Sequence, residues 1–268
     1  MELLVLLGLS LAAGTFAVLD SDDDSEPAAD TSADATKGND DLSGASKDDT
    51  IFAKDGHDIL AGNGGDDRLF GQDGQDLLVG GEGDDFLRGG SDHDTIIDGK
   101  GSDTLIGDAG NDFIVSTSAF DPDNVLEAGR EWAANDDPDA RIILEYDVSQ
   151  DIDEAPDVIR AGFGDDNVVA GRGDTVTLGE GYDDLALGDW IEAGDEPVVL
   201  TDYDRDHDMI VYYHDGVGPA PEITVASEQD ETSDTQDALL LANGEVFARL
   251  QGAGGLVSEN SVQVRIIE

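Results

Sequence analysis

Nine aspartates in this chain stand nine residues apart: Asp40, Asp49, Asp58, Asp67, Asp76, Asp85, Asp94, Asp103 and Asp112. A carboxylate can serve as an acid, a base, a nucleophile or a ligand for a hard cation. Acid–base work needs two carboxylates singled out in a cleft, and an even row singles out none. Stacked carboxylates with nothing between them repel, so a row of this kind calls for cations. Calcium takes six to eight oxygens at ~2.3–2.6 Å in loose geometry, which suits carboxylates mixed with backbone carbonyls. Magnesium keeps stricter geometry and its waters, and zinc prefers His or Cys. The chain has no cysteine and only four histidines. Two of them, His57 and His93, fall at a variable position and read as incidental.

The elements that must hold this row follow from the residues around it. Cut from Ala35 in nines, the sequence gives nine units over 35–115 without an insertion, the sixth reading GGEGDDFLR (80–88). Position 8 is always Leu or Ile, from Leu42 to Ile114, and position 4 is glycine except at Lys47 and Asp92. One inward aliphatic cannot bury itself, so units must stack on one another. Positions 6 to 9 alternate as a short strand, with 6 and 8 on one side. The glycine-rich half is then the turn, since glycine tolerates positive φ and close backbone approach. Two such halves make one coil of a right-handed parallel roll, its turns stacked along two edges at the ~4.8 Å strand spacing. The fold class expected is all-β: a parallel β-roll of nonapeptide repeats with an irregular insertion and a C-terminal β cap.

Residues 80–88 fit the motif GGxGxDxUx at every fixed position, and the chain resembles the RTX (repeats-in-toxin) nonapeptide proteins. The resemblance implies a β-roll with calcium between turns on the same edge, and export through a type I secretion apparatus. It carries the nine position-6 aspartates over as ligands, with the carbonyls of Gly56, Gly65, Gly74, Gly83, Gly101 and Gly110 as co-ligands. Calcium would sit between unit n and unit n+2, so nine units offer up to about seven sites. Asp92 tolerates left-handed φ better than Lys47, which leaves the second unit as the weak point of the row.

The rest of the chain divides by composition. Residues 1–19 are an apolar targeting or anchor segment, and 20–34 an acidic linker. Residues 116–156 lose the register and form an insertion, with a short helix near 124–134 and a strand at 141–148. The repeat returns, degraded, over 157–195, where Asp166, Asp174 and Asp183 hold the ligand position and Asp157 begins the row. Residues 196–268 are a run of short strands in which Asn243–Gly244 marks a hairpin; they read as a β cap, similar to the export region of type I substrates. Outward positions of the odd units (Ile59, Ala61, Leu77, Val79, Ile97, Val115) are more apolar than a free surface needs. The insertion or the tail is expected to cover them.

With 64 acidic and 13 basic residues the net charge is −51. Phosphate-bearing partners are excluded by repulsion: nucleic acid first, and anionic membrane surfaces with it. No GxSxG, HExxH, P-loop or cysteine nucleophile is present, and His207 reads as a solvated surface residue; an enzyme is not expected. The function expected is a secreted or surface-tethered calcium-binding repeat protein whose roll folds on Ca2+ after export, with tethering, if any, through residues 3–19. The alternatives are a calcium-dependent extracellular adhesin or matrix component binding polysaccharide or a surface partner, and a carbohydrate-active accessory domain. Phe52 with Phe70 makes too short an aromatic row to support the adhesin.

Overall fold

The computed structural model describes residues 16–18, 35–117, 125–126, 130, 155–191, 194–214, 216–229, 235–258 and 261–266. Two ten-stranded sheets face each other. One holds, in order, β1 (Phe16–Val18), β2 (Asp41–Ser43), β4 (Ile59–Gly64), β6 (Leu77–Glu82), β8 (Thr95–Lys100), β10 (Phe113–Val115), β12 (Asn167–Val169), β14 (Asp184–Gly188), β16 (Met209–His214) and β20 (Val262–Ile266). The other runs β3 (Thr50–Asp55), β5 (Arg68–Asp73), β7 (Phe86–Ser91), β9 (Thr104–Ala109), β11 (Val158–Phe163), β13 (Thr175–Glu180), β15 (Val198–Leu200), β19 (Glu245–Leu250), β18 (Gln236–Ala242) and β17 (Ile223–Gln229). Odd units feed the first sheet and even units the second. Each strand pairs in parallel with the one two units away, as Leu60 with Leu78 and Leu69 with Leu87. This is the parallel β-roll that the nonapeptide pattern predicts.

The strands are longer than the sequence implies. They run from position 7 through position 3 of the next unit, and only positions 4 to 6 make the turn. The reason lies at position 2, which takes a left-handed φ in unit after unit: Lys54, Asn63, Gln72 and Asp108 as well as Gly81, Gly90 and Gly99. That kink skips one residue of the ladder and lets pairing resume, as Asn63 with Gly81 after Ala61 with Val79. Three positions therefore point inward rather than two: position 8, position 6 and position 1. Leu60, Leu69, Leu78, Leu87, Ile96 and Leu105 are fully buried in a continuous apolar column.

Of residues 116–156, Ser116 and Thr117 are buried, and Val125, Leu126 and Arg130 are helical; the remainder, including the strand expected at 141–148, lies outside the described residues. The sheet continues across this segment. β11 pairs with β9, and Asp103 donates its N–H to Asp157, 54 residues on, where other coils span 18. Ile59, Leu77, Val79, Ile97 and Val115 point away from the roll axis and are nonetheless buried. Val125 and Leu126 belong to the same buried cluster, and Arg130 pairs with Asp41 at 2.9 Å. Among the described residues of the insertion, Val125 and Leu126 thus join the burial of the odd face, while Arg68 and Arg88 on the even face stay exposed.

The tail closes the open end. β18 and β19 form an antiparallel hairpin through Asn243 (φ 53°) and Gly244 (φ 91°), β17 adds to it, and β20 finishes the first sheet beside β16. Of the apolar segment 3–19 only Phe16–Val18 is described, as β1 pairing in parallel with β2; the rest, with linker 20–34, lies outside the described residues. Among the described residues no helix is long and apolar enough to cross a membrane.

Two glycines test the close stacking. A Cβ at Gly74 (φ 124°) would run into the Gly56 carbonyl oxygen, whereas one at Gly64 meets nothing nearer than 3.7 Å. Gly74→Ala should destabilise the calcium-loaded roll by about 1–3 kcal/mol and Gly64→Ala by less than about 0.5 kcal/mol, read from thermal unfolding at saturating calcium. Equal effects would contradict the stacking described.

Candidate metal centres along the roll edges

The position-6 aspartates form two ladders, one on each edge. The first holds Asp40, Asp58, Asp76, Asp94, Asp112, Asp166 and Asp183; the second holds Asp49, Asp67, Asp85, Asp103, Asp157 and Asp174. Each rung is the same bond: the backbone N–H of one aspartate donates to Oδ1 of the aspartate two units on. The bonds span 2.6–3.0 Å, as Asp58 to Asp76 at 2.8 Å, Asp85 to Asp103 at 2.6 Å and Asp157 to Asp174 at 3.0 Å. The shortened repeat at 170–177 keeps the ladder at a spacing of 17, from Asp166 to Asp183.

One carboxylate oxygen is used this way, and the other is left over. Oδ2 of Asp58, Asp67, Asp76, Asp85, Asp94, Asp112, Asp166 and Asp183 is buried without a hydrogen-bond partner. An unmet buried acceptor costs about 1–3 kcal/mol, more if charged, so a row of them is a standing demand for cations or protons. The ends of the ladders differ. Oδ2 of Asp40 accepts the Thr36 N–H at 2.6 Å, that of Asp49 the Ala45 N–H at 2.7 Å, and that of Asp174 the Ser116 hydroxyl and the Gly171 N–H. These three are satisfied by the protein itself and are the weaker ligand candidates.

Without a cation, burial holds these acids protonated far above the ordinary carboxylate range. Burial is the largest cause at each, and the backbone N–H at Oδ1 opposes it. Asp58 and Asp85 are pushed up to about 8, Asp67, Asp76 and Asp166 to about 7, Asp94 to about 10 and Asp112 to about 6. Neighbouring aspartates of the same ladder push in the same direction, Asp76 and Asp40 acting on Asp58 and Asp103 and Asp67 on Asp85.

The glycines at position 4 supply the second kind of oxygen. Gly56, Gly65, Gly74, Gly83 and Gly101 all have positive φ. Their carbonyls point along the edge: a Cβ at Gly83 would strike the Gly65 carbonyl oxygen, and one at Gly101 the Gly83 oxygen. At Gly110 the same space is faced by the carbonyl of Asp92, which itself takes a left-handed φ of 74° as its type allows. Oxygen-rich turns so spaced fit calcium by donor chemistry.

Several residues of this arrangement escape the sequence pattern. Asp208 stands in register beyond Asp183, since Met209 donates its N–H to the Asp183 carbonyl as Ile59 does to that of Asp40, and Asp208 Oδ2 accepts the Asp204 N–H at 2.6 Å. Asp98 adds a carboxylate at position 1. Position 5 is not a bystander: its side chain accepts the N–H of position 5 two units on, as in Asp48 with Asp66, Asp66 with Asp84, and Asn111 with Asp165. His57 and His93 accept through Nδ1 from Gln75 and Asn111, so the reading of these histidines as incidental is corrected: they are rungs of an outer ladder. His207 is exposed and paired with Asp204. His214, not singled out by sequence, is buried against Asp189 at 2.5 Å, with the Tyr212 hydroxyl on the other oxygen.

The RTX calcium-binding nonapeptide repeat family matches residues 34–69, 52–87, 62–96, 88–121 and 153–177. The repeats are calcium-binding, and calcium is the ion the buried aspartates await. No curated protein matches the chain. Among solved structures it is similar to the extracellular lipase LipA from Serratia marcescens, at 14% identity and a TM-score of 0.26. The match covers 86% of this chain and 39% of the lipase.

Acids whose folded pKa is raised stabilise the metal-free roll below their ordinary pKa and lose that contribution as pH rises through the folded value. The metal-free roll should therefore be most ordered near pH 4 and lose order between pH 6 and 10, followed by far-UV circular dichroism in chelator. Calcium must displace those protons, so its midpoint should fall as pH rises from 6 to 9, with proton release seen by calorimetry in two buffers. A midpoint independent of pH would contradict protonated ladders.

Proposed function

We propose that this chain is an exported calcium-responsive protein, open at low calcium and closed into its roll by calcium outside the cell. The observation that carries this reading is the row of buried Oδ2 oxygens without hydrogen-bond partners at Asp58, Asp76, Asp94, Asp112, Asp166 and Asp183 on one ladder and at Asp67 and Asp85 on the other. The ion would be held by Asp58, Asp76, Asp94, Asp112, Asp166 and Asp183 on one edge and by Asp67, Asp85 and Asp103 on the other, with the position-4 carbonyls. When bound it supplies positive charge to acids that otherwise repel. Because these oxygens come together only in the roll, binding free energy becomes folding free energy. An affinity in the extracellular range of ~10⁻⁴–10⁻³ M would keep the chain open before export and close it after. The absence of cysteine, the strong acidity and the hairpin-bearing tail are in keeping with a type I secretion substrate. The chain then acts as a binding scaffold and not as a catalyst.

A second reading, the polysaccharide-binding matrix component, gains one observation. Phe52 stacks on Phe70 at 4.7 Å, and Phe86 extends the row at 5.6 Å. The row borders a groove of about 450 Å³ lined by Arg88, Asp108 and Phe163. Aromatic faces beside paired polar groups suit sugar rings.

Titrating the full chain with calcium should raise far-UV β signal from a chelated baseline, and Asp76→Ala with Asp85→Ala should shift the midpoint upward several-fold. Unchanged signal between chelator and saturating calcium would remove the switch. For the second reading, Phe70→Ala should abolish retention on a neutral polysaccharide matrix in calcium; if the unaltered protein is not retained either, that reading fails.

A further inference from the structure

Position 1 is the most crowded of the inward positions. It is glycine or alanine at 44, 53, 62, 71, 80, 89 and 107, and again at Ala161 and Ala170 after the insertion. The crowding comes from the backbone of the next coil together with the aspartate of the same unit: a Cβ at Gly80 would run into the Asp98 carbonyl oxygen and come within 2.5 Å of Asp85 Oδ2, and one at Gly44 would come within 2.6 Å of the Gly62 carbonyl oxygen and 2.7 Å of Asp49 Oδ2. In the eighth unit this position carries Asp98. Among the units before the insertion, a carboxylate stands where the others carry at most a methyl group; after the insertion Leu178 shows that the position can also take a larger side chain.

Asp98 is fully buried. Its Oδ1 accepts the Gly99 N–H at 2.5 Å, and its Oδ2 has no hydrogen-bond partner. It is aimed into a cluster with Asp103 and Asp157, both 2% exposed, in which one carboxylate oxygen of each residue lies within 4.8 Å of the others. Three atoms no more than 4.8 Å apart share a point at most about 2.8 Å from each, close enough for an oxygen-coordinated cation of calcium's size, ~2.3–2.6 Å from its ligands.

The cluster also has a place in the chain. Asp98 and Asp103 precede the insertion, and Asp157 follows it. The Asp103-to-Asp157 rung, at 2.7 Å, is the one that bridges the break in the repeat. We infer that Asp98, Asp103 and Asp157 form a further site for a calcium-sized cation, enclosed inside the roll at the seam where the insertion leaves and returns. The inference rests on the calcium reading of the roll. It differs from the sites of the repeat motif in using a position-1 side chain, and in holding its ion away from solvent. Such an ion staples the coils on either side of the insertion and exchanges more slowly than those along the edges.

The test compares the full-length protein with Asp98→Ala and Asp98→Asn, all loaded with calcium and then exposed to graded chelator. Alanine already occupies this position at 53 and 161, and asparagine keeps the size of the side chain. Ions retained are counted by native mass spectrometry. The unaltered protein should keep one ion beyond the chelator level that strips the rest, and both variants should lose that ion alone. Equal counts and equal chelator resistance in all three would overturn the site, leaving Asp98 as a buried neutral acid. If the asparagine variant alone folds, its count decides by the same criterion. A protein that takes up no calcium at all would overturn the roll reading itself, a result distinct from the loss or retention of one ion.

Discussion

Every coil of this protein depends on a division of labour within one carboxylate. Oδ1 of the position-6 aspartate takes the backbone N–H of the aspartate two units earlier, which fixes the spacing of successive turns. Oδ2 is left without a hydrogen-bond partner at Asp58, Asp67, Asp76, Asp85, Asp94, Asp112, Asp166 and Asp183. The first contact makes the acid indispensable to the backbone and the second makes it intolerable as an isolated anion. Replacing the aspartate with an amide would keep the first and abandon the second. The roll is therefore a frame whose own construction generates the charge it must neutralise.

A second ladder runs the other way. Position-5 side chains receive the N–H from two units on, whereas position-6 side chains receive it from two units before. Adjacent amides of one turn are thus bound in opposite directions along the edge. This explains why polar residues with an acceptor recur at a position that varies in type: Asn39, Asp48, His57, Asp66, Asp84, His93, Asn111 and Asp165 all serve. Imidazole can take part because its Nδ1 is an acceptor in the neutral ring.

The period of nine and the invariant aspartate and aliphatic positions made the roll, its two edges and its ladder legible before any coordinates. The hairpin at Asn243–Gly244 and the buried odd face were legible for the same reason, since turn chemistry and an excess of outward aliphatics are local signals. The strand limits were not. Lys54 and Gln72 adopt positive φ that their side chains do not advertise, because stacking on neighbouring coils dictates it. Asp208 was hidden by the lost spacing of the tail. Asp98 was hidden because a single acid in a chain this acidic carries no signal until its surroundings are known.

The two ladders do not end at the same height. On the first edge the row continues from Asp183 to Asp208, while on the second the position after Asp174 is taken by Val198, whose neighbour Val199 donates to the Asp174 carbonyl. From that level onward the second sheet is held by Leu200, Ala238, Leu240, Phe247 and Leu250, all buried, and by an antiparallel meander with short connections. Cohesion thus changes in kind along the axis, from ionic at the repeats to oily at the cap. The molecule has a polarity: one end is built around rows of buried acids, and the other around packed aliphatic and aromatic side chains.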